Sequence, residues 1–172
     1  TVGCIYLKDI KLSIIILLSH YISNFILGII LRNNNNLKDN IVLYKTNSFL
    51  NIYYSAIRNT VISVSIIFAN ILFFSFVLSI VKYFISINSI FDSILYGSLE
   101  FSSGIYNITH LISNKFINGL IITIIITFSS FSIHMQIINL NKKIRYFKYL
   151  IYRFINVFIS IIIFIILFNL LQ

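Results

Sequence analysis

Long apolar blocks alternate with short polar or basic segments along this chain, and the block lengths predict helices. Residues 12 to 31, LSIIILLSHYISNFILGIIL, make twenty residues of helix, about 30 Å and enough to cross a hydrocarbon core. His20 falls near the middle of that block beside Ser19. Residues 32 to 47 are a polar loop containing the run Asn33 to Asn36, with Arg32, Lys38 and Lys45 against Asp39. From Ser48 the apolar positions Phe49, Ile52, Tyr53 and Ala56 recur on one helical face. They predict a helix lying on a membrane surface before the chain turns inward at Arg58. Residues 60 to 81 form a second span, with Asn70 as its strong polar group and Lys82 at its end. A short interfacial helix carrying Asp92 is expected within 83 to 96, and a last span over 149 to 171 follows the basic loop 141 to 148.

Between these blocks, residues 97 to 140 turn polar in the middle of an apolar run. Basic residues collect in short loops on the cytoplasmic side of a membrane. That rule puts both 32 to 58 and 141 to 153 on one side, so the chain makes an odd number of crossings between Lys82 and Asn141. Two segments, 94 to 112 and 117 to 140, lie between, and one of them is therefore expected to enter and leave on the same side. The segment 117 to 140 is the better choice. INGLIITIIITF is only about 18 Å of helix, Ser129-Ser130 offers a turn, and SIHMQIINL beyond it carries His134 and Gln136. Broken backbone at membrane depth is tolerated where protein buries it or where it lines a polar cavity. The alternative is a plain span whose serines bond back to their own helix. Glu100 has two readings as well. A carboxylate at mid-bilayer costs roughly 2.5 to 3.5 kcal/mol and marks an ion or proton path; at the start of a helix in the headgroups it meets the favourable end of the helix dipole. Ser103 and Gly104 just after it permit a close approach or a local break.

Composition agrees with lipid as the solvent: 59% of residues are hydrophobic and 10% charged, against about 25% charged in a soluble domain. The net charge of +9 is then an orientation signal, not a nucleic-acid footprint. The chain has no proline, so helix breaks must come from Gly, Ser or Asn. A single cysteine, Cys4, supports neither a disulfide nor a metal cluster, and no cofactor or metal motif is expected. No His-Glu-x-x-His, Gly-x-Ser-x-Gly or paired-Asp pattern points to an enzyme. Because the chain opens on Thr1 with no signal-peptide arrangement, it is expected to be part of a longer protein.

Four stretches resemble the YlbJ family of sporulation integral membrane proteins, whose members carry nucleoside-recognition or Gate-type domains. Thr1-Val2-Gly3, with Leu18-Ser19-His20-Tyr21 and Gly28 to Arg32, is similar to the family's TVG…LSHY…G…LR block. Leu99-Glu100 followed by Gly104 resembles its LE-x-x-x-G element. Ser132-Ile133-His134-Met135-Gln136 resembles its SVHAQ-like motif, and Ile144-Arg145-Tyr146 with Arg153 its IRY…R element. Where the family has a Gly pair before the SVHAQ-like motif, this chain has Ser129-Ser130. The family's earlier Gate-like half has no counterpart here, so the chain resembles the C-terminal portion.

The resemblance implies an all-α polytopic membrane protein with a re-entrant helical hairpin, related to concentrative nucleoside transporter-like folds. Residues 1 to 93 would hold two spans and the basic loop, and 94 to 172 a Gate-like region. It also implies a transporter in the bacterial cell membrane, specifically the outer forespore membrane, moving dipicolinic acid from mother cell to forespore. The lipid bilayer, a small solute and the missing N-terminal half are the expected partners. Ser129, Ser130, Ser132, His134, Gln136 and Arg145 are then candidate solute contacts, with Glu100, Ser103 and Gly104 in coupling or structural roles. The competing expectation is a non-transporting membrane scaffold whose polar residues are sealed in helix contacts.

Overall fold

The computed structural model describes residues 6–32, 48–84, 89–140 and 144–171. The Thr1-Val2-Gly3 block, Cys4, the Asn33 to Asn36 run with Lys38, Asp39 and Lys45, and Asn141 to Lys143 lie outside the described residues. Among the described residues the chain is all-α, with four stretches long and apolar enough to cross a membrane. That is the architecture of an integral membrane protein.

Helix α1, Ile10–Ile30, is capped by Asp9, whose carboxylate accepts from the Leu12 amide at 3.2 Å. It buries Leu12, Ile15, Ile16, Ser19 and Ser23, a stripe at the i, i+3, i+4, i+7 spacing of one helical face. Helix α2 runs unbroken over Phe49–Phe84. The expected turn between a surface helix and a span from residue 60 is absent. Neither Gly nor Pro stands in this stretch, and the Ser55 and Thr60 hydroxyls bond to the Ile52 and Ala56 carbonyls of their own helix, so nothing interrupts it. Only Phe74 and Leu78 of α2 are buried.

The segment expected as one crossing candidate, 94 to 112, is split into α3, Ile90–Leu99, and α4, Phe101–Leu111. A capping box starts α3: Ser89 accepts from the Asp92 amide, and the Asp92 carboxylate accepts from the Ser89 amide. Glu100 alone joins the two helices, in extended conformation at φ −142° and ψ 116°. The pair packs side by side because glycines meet at the crossing. A Cβ on Gly104 would sit 2.2 Å from the Gly97 Cα.

Helix α5, Lys115–Phe128, and helix α6, Phe131–Leu140, are separated at Ser129-Ser130, the junction predicted from the sequence. Their packing bears on the hairpin expected over 117 to 140. The two halves do not pack along each other; α5 is bedded on α1, α4 and α7, and α6 on α2. The apolar surface of α5 explains this, since Ile121, Ile122 and Ile125 are taken up by the core with Leu12, Ile105, Ile108 and Phe164. The side-by-side pair of short helices is α3–α4 instead.

Helix α7, Tyr146–Leu171, runs antiparallel to α5: Phe164 and Phe168 lie by Phe116 at the start of α5, and Phe154 lies by Phe128 at its end. Gly119 makes room where the three long helices meet, since a Cβ there would press on Leu12 and Phe164 at 2.7 Å. At one end of this bundle Lys115 donates to the Asp9 carboxylate at 2.7 Å, tying the starts of α1 and α5 together. Large apolar side chains such as Phe25, Phe68, Phe76, Phe158 and Ile162 point outward, as expected of a lipid-facing surface.

Candidate functional site

The site is built on the break between α5 and α6. Breaking a helix strands the last carbonyls of the first half and the first N–H groups of the second. Ser129 makes the turn at φ 61° and ψ 127°, on the positive-φ side that favours glycine. Its hydroxyl reaches back to the Ile126 carbonyl at 3.4 Å. The Ser130 carbonyl then opens α6, accepting from the Ile133 and His134 amides at 2.9 and 3.1 Å. The Ser130 hydroxyl is fully buried and has no partner among the described residues.

Two side chains occupy the stranded carbonyls of α5. The His134 Nε2 lies 2.9 Å from the Phe128 oxygen; a carbonyl only accepts, so Nε2 carries the hydrogen. The ring is 0% exposed and surrounded by Phe128, Phe131, Tyr146 and Tyr149. Its Nδ1 is buried without a partner among the described residues. From α7, Arg153 donates to the Thr127 carbonyl at 3.5 Å and to the Tyr149 hydroxyl at 2.8 Å, with its guanidinium over the Tyr149 ring. A cation is favourable here, at the negative end of the α5 dipole.

A polar chain extends from the break into α1. The His20 Nδ1 lies 3.4 Å from the Thr127 hydroxyl, and the Asn24 amide nitrogen lies 3.1 Å from His20 Nε2. Asn156 of α7 donates to the Asn24 oxygen at 2.9 Å and is itself fully buried. An apolar cavity of about 220 Å³ adjoins the break, lined by Gly97 and Ser98 of α3, Ile124, Ile125 and Phe128 of α5, and Phe154 and Val157 of α7. That is below the size of a drug-binding pocket.

Of the residues expected at the site, Ser129, Ser130, Ser132 and His134 come together at the break. Gln136 lies one turn further on, donating to the Ser132 hydroxyl at 3.4 Å. Arg145 is exposed, immediately before α7. Glu100 caps α4, accepting from the Ser102 and Ser103 amides at 3.1 and 2.9 Å and from the Ser102 hydroxyl at 2.6 Å. This is the geometry of its helix-start reading. Gly104 serves the α3–α4 crossing. Sequence reasoning passed over Arg153 as a site residue, together with Thr127, Tyr149, Asn24 and Asn156. Among the described residues no group of three or more His, Cys, Asp or Glu side chains is placed to hold a metal. Comparison with protein-family models, curated proteins and solved structures finds no match for this chain.

Proposed function

We propose that this chain is the C-terminal portion of an integral membrane transporter of the YlbJ type, moving a small aromatic carboxylate such as dipicolinic acid from mother cell to forespore. One observation carries this reading: an apolar helix is broken at Ser129-Ser130, with unpartnered Ser130 and His134 atoms, the Arg153 cation and an apolar cavity gathered around the break. Transporters build solute sites from such interrupted helices, and irregular backbone at depth needs a polar environment. Arg153 supplies charge for a carboxylate, and the Phe128 and Phe154 side of the cavity takes a ring.

The α3–α4 pair supplies the re-entrant element of this reading. Its helices of 10 and 11 residues each reach about 15 Å, half the hydrocarbon thickness. With that pair entering and leaving on one side and α5–α6 crossing as a unit, the basic segments after α1 and before α7 fall on the same side, as the charge rule requires.

The test is dipicolinate content in spores carrying the full-length protein with Arg153→Gln, His134→Gln or Gln136→Ala. Depleted spores are expected for Arg153→Gln and His134→Gln. Normal loading at normal protein level would remove these residues from the solute path.

The enclosure of His134 by four aromatic rings favours the second reading, a membrane scaffold with its polar groups sealed in helix contacts. Cysteine substitution at 129 to 136 separates the two. Labelling by a water-soluble thiol reagent from one side, blocked by dipicolinate, supports transport, and inertness at every position supports the scaffold.

A further inference from the structure

We propose that the first turns of α2 carry a headgroup site for an anionic phospholipid, with Arg58 on the phosphate and Asn51 and Asn59 on the rest of the headgroup. The inference stands apart from the solute reading and requires only that α2 cross a bilayer. Every residue from Ser48 to Ile62 is exposed. Within that stretch the polar side chains are not scattered. Asn51, Ser55, Arg58 and Asn59 recur at the three- and four-residue spacing of one helical face. With Tyr54 and Ile62 they line an open cleft of about 500 Å³. The opposite face carries Phe49, Leu50, Tyr53, Ile57 and Val61, all exposed. This is the amphipathic pattern of a helix seated among lipid headgroups.

Position along the helix points to a lipid phosphate. Arg58 and Asn59 stand directly before the apolar block 60 to 81, where hydrocarbon gives way to headgroups, and Tyr53 and Tyr54 suit the aromatic belt at that level. Ile62 lies one turn inside the block, where an acyl chain begins. Charge selects an anion. The sequence of α2 contains no Asp or Glu, and among the described residues Arg58 has no ion pair. Its guanidinium offers a planar fork of N–H donors that matches two phosphate oxygens. Asn51 and Asn59 both donate and accept, and the Ser55 hydroxyl, which donates to the Ile52 carbonyl, still accepts; these suit headgroup hydroxyls. The described lining holds no carboxylate to pair with a choline or ethanolamine ammonium, so phosphatidylglycerol is favoured over zwitterionic lipid. The charge rule puts this end of α2 on the side of Arg145 and Lys148, whose leaflet is the anionic one.

The chain has no tryptophan, so Ile62→Trp provides a single fluorescent reporter that leaves Arg58 and its polar neighbours intact. The full chain is placed in nanodiscs of phosphatidylcholine and phosphatidylglycerol, with one lipid or the other brominated high in its acyl chains to quench a tryptophan that it touches. Phe68→Trp, exposed on a different face of α2, reports ordinary bilayer lipid. At Ile62→Trp the expected preference for phosphatidylglycerol is about fivefold or more, the effect of one basic residue at an anionic surface. At Phe68→Trp no preference is expected. Adding Arg58→Gln to Ile62→Trp removes the preference, and Arg58→Lys, which keeps the charge without the fork, leaves part of it. An unchanged preference with Arg58→Gln, or the same preference at both reporters, overturns the site. So does an Ile62→Trp reporter that neither lipid quenches, which gives the face to a protein partner. A preference abolished by inorganic phosphate at matched ionic strength also overturns it, since the cleft would then hold a soluble anion.

Discussion

The Gly97–Gly104 crossing makes the sharpest stability prediction. A methyl group at residue 104 would lie 2.2 Å from the Gly97 Cα, 2.6 Å from its nitrogen and 3.0 Å from the Ser93 oxygen. All three are backbone atoms, so no flexible side chain can swing away. Carbon atoms rest at about 3.5 to 4.0 Å, so Gly104→Ala must push α3 and α4 apart by at least about 1.3 Å. Overpacking costs about 1 to 3 kcal/mol, and a clash against backbone belongs at the upper end. Alanine returns up to about 1 kcal/mol through helix propensity. The net loss is about 2 kcal/mol, or roughly a 30-fold fall in the ratio of folded to unfolded chain. Gly28 is the control, because among the described residues nothing lies within 4 Å of its added Cβ. Gly28→Ala is expected to gain up to about 1 kcal/mol from propensity alone. Urea unfolding in mild detergent, read by pulse proteolysis, measures both. Gly104→Ala within about 0.5 kcal/mol of the unsubstituted chain would refute the close crossing, since surface changes alone stay inside that range.

The same measurement checks three further expectations. Glu100→Ala removes the acceptor for the Ser102 and Ser103 amides and should cost about 0.5 to 2 kcal/mol, whereas Glu100→Asn keeps a cap and should stay near the starting stability; equal losses would refute the capping role. Ser129→Gly relieves the positive φ at the break and should stabilise by about 1 kcal/mol; a loss would show that the hydroxyl contact to Ile126 matters more than the backbone. The Lys115 ammonium, and next the Leu12 amide, hold the Asp9 carboxyl below its ordinary range. A lowered folded-state value means that the stabilisation is complete above the unfolded value of about 3.9 and is lost as pH falls through the folded one. Asp9→Asn should abolish that acid-limb loss while costing under about 1 kcal/mol at neutral pH, and an unchanged acid limb would assign it to another group.

What the sequence made legible follows from how local each signal is. The break at Ser129-Ser130 was visible because two serines interrupt an apolar run that proline-free sequence had no other means to stop. The α3–α4 pair was legible in part: a short helix carrying Asp92 and a local break after Glu100 were expected, but the side-by-side crossing through Gly97 and Gly104, two glycines seven residues apart, was not. Arg153 reads as an interfacial residue of the last span because its partner, the Thr127 carbonyl, is a main-chain atom 26 residues away that no side-chain pattern reveals. Asn24 and Asn156 are 132 residues apart and look like isolated polar positions. The surface helix expected before residue 60 was lost to continuity, since an amphipathic pattern cannot tell a separate helix from the first turns of a longer one.

The unbroken length of α2 has a mechanical consequence. Thirty-six residues make a rod of about 54 Å, some 20 Å more than the apolar stretch from residue 60 to 81 needs to cross a bilayer. Its surplus is the end beginning at Phe49, and its side contact with the rest of the molecule is chiefly α6, where Asn139 meets Asn70. A stiff rod pivoting at Asn70 carries displacement from one end to the other with little loss. Tilting it by about 10° would sweep the Phe49 end through roughly 5 Å, one helical turn. Whatever grips that end from outside the membrane thus has leverage on α6, and through α6 on the imidazole of His134.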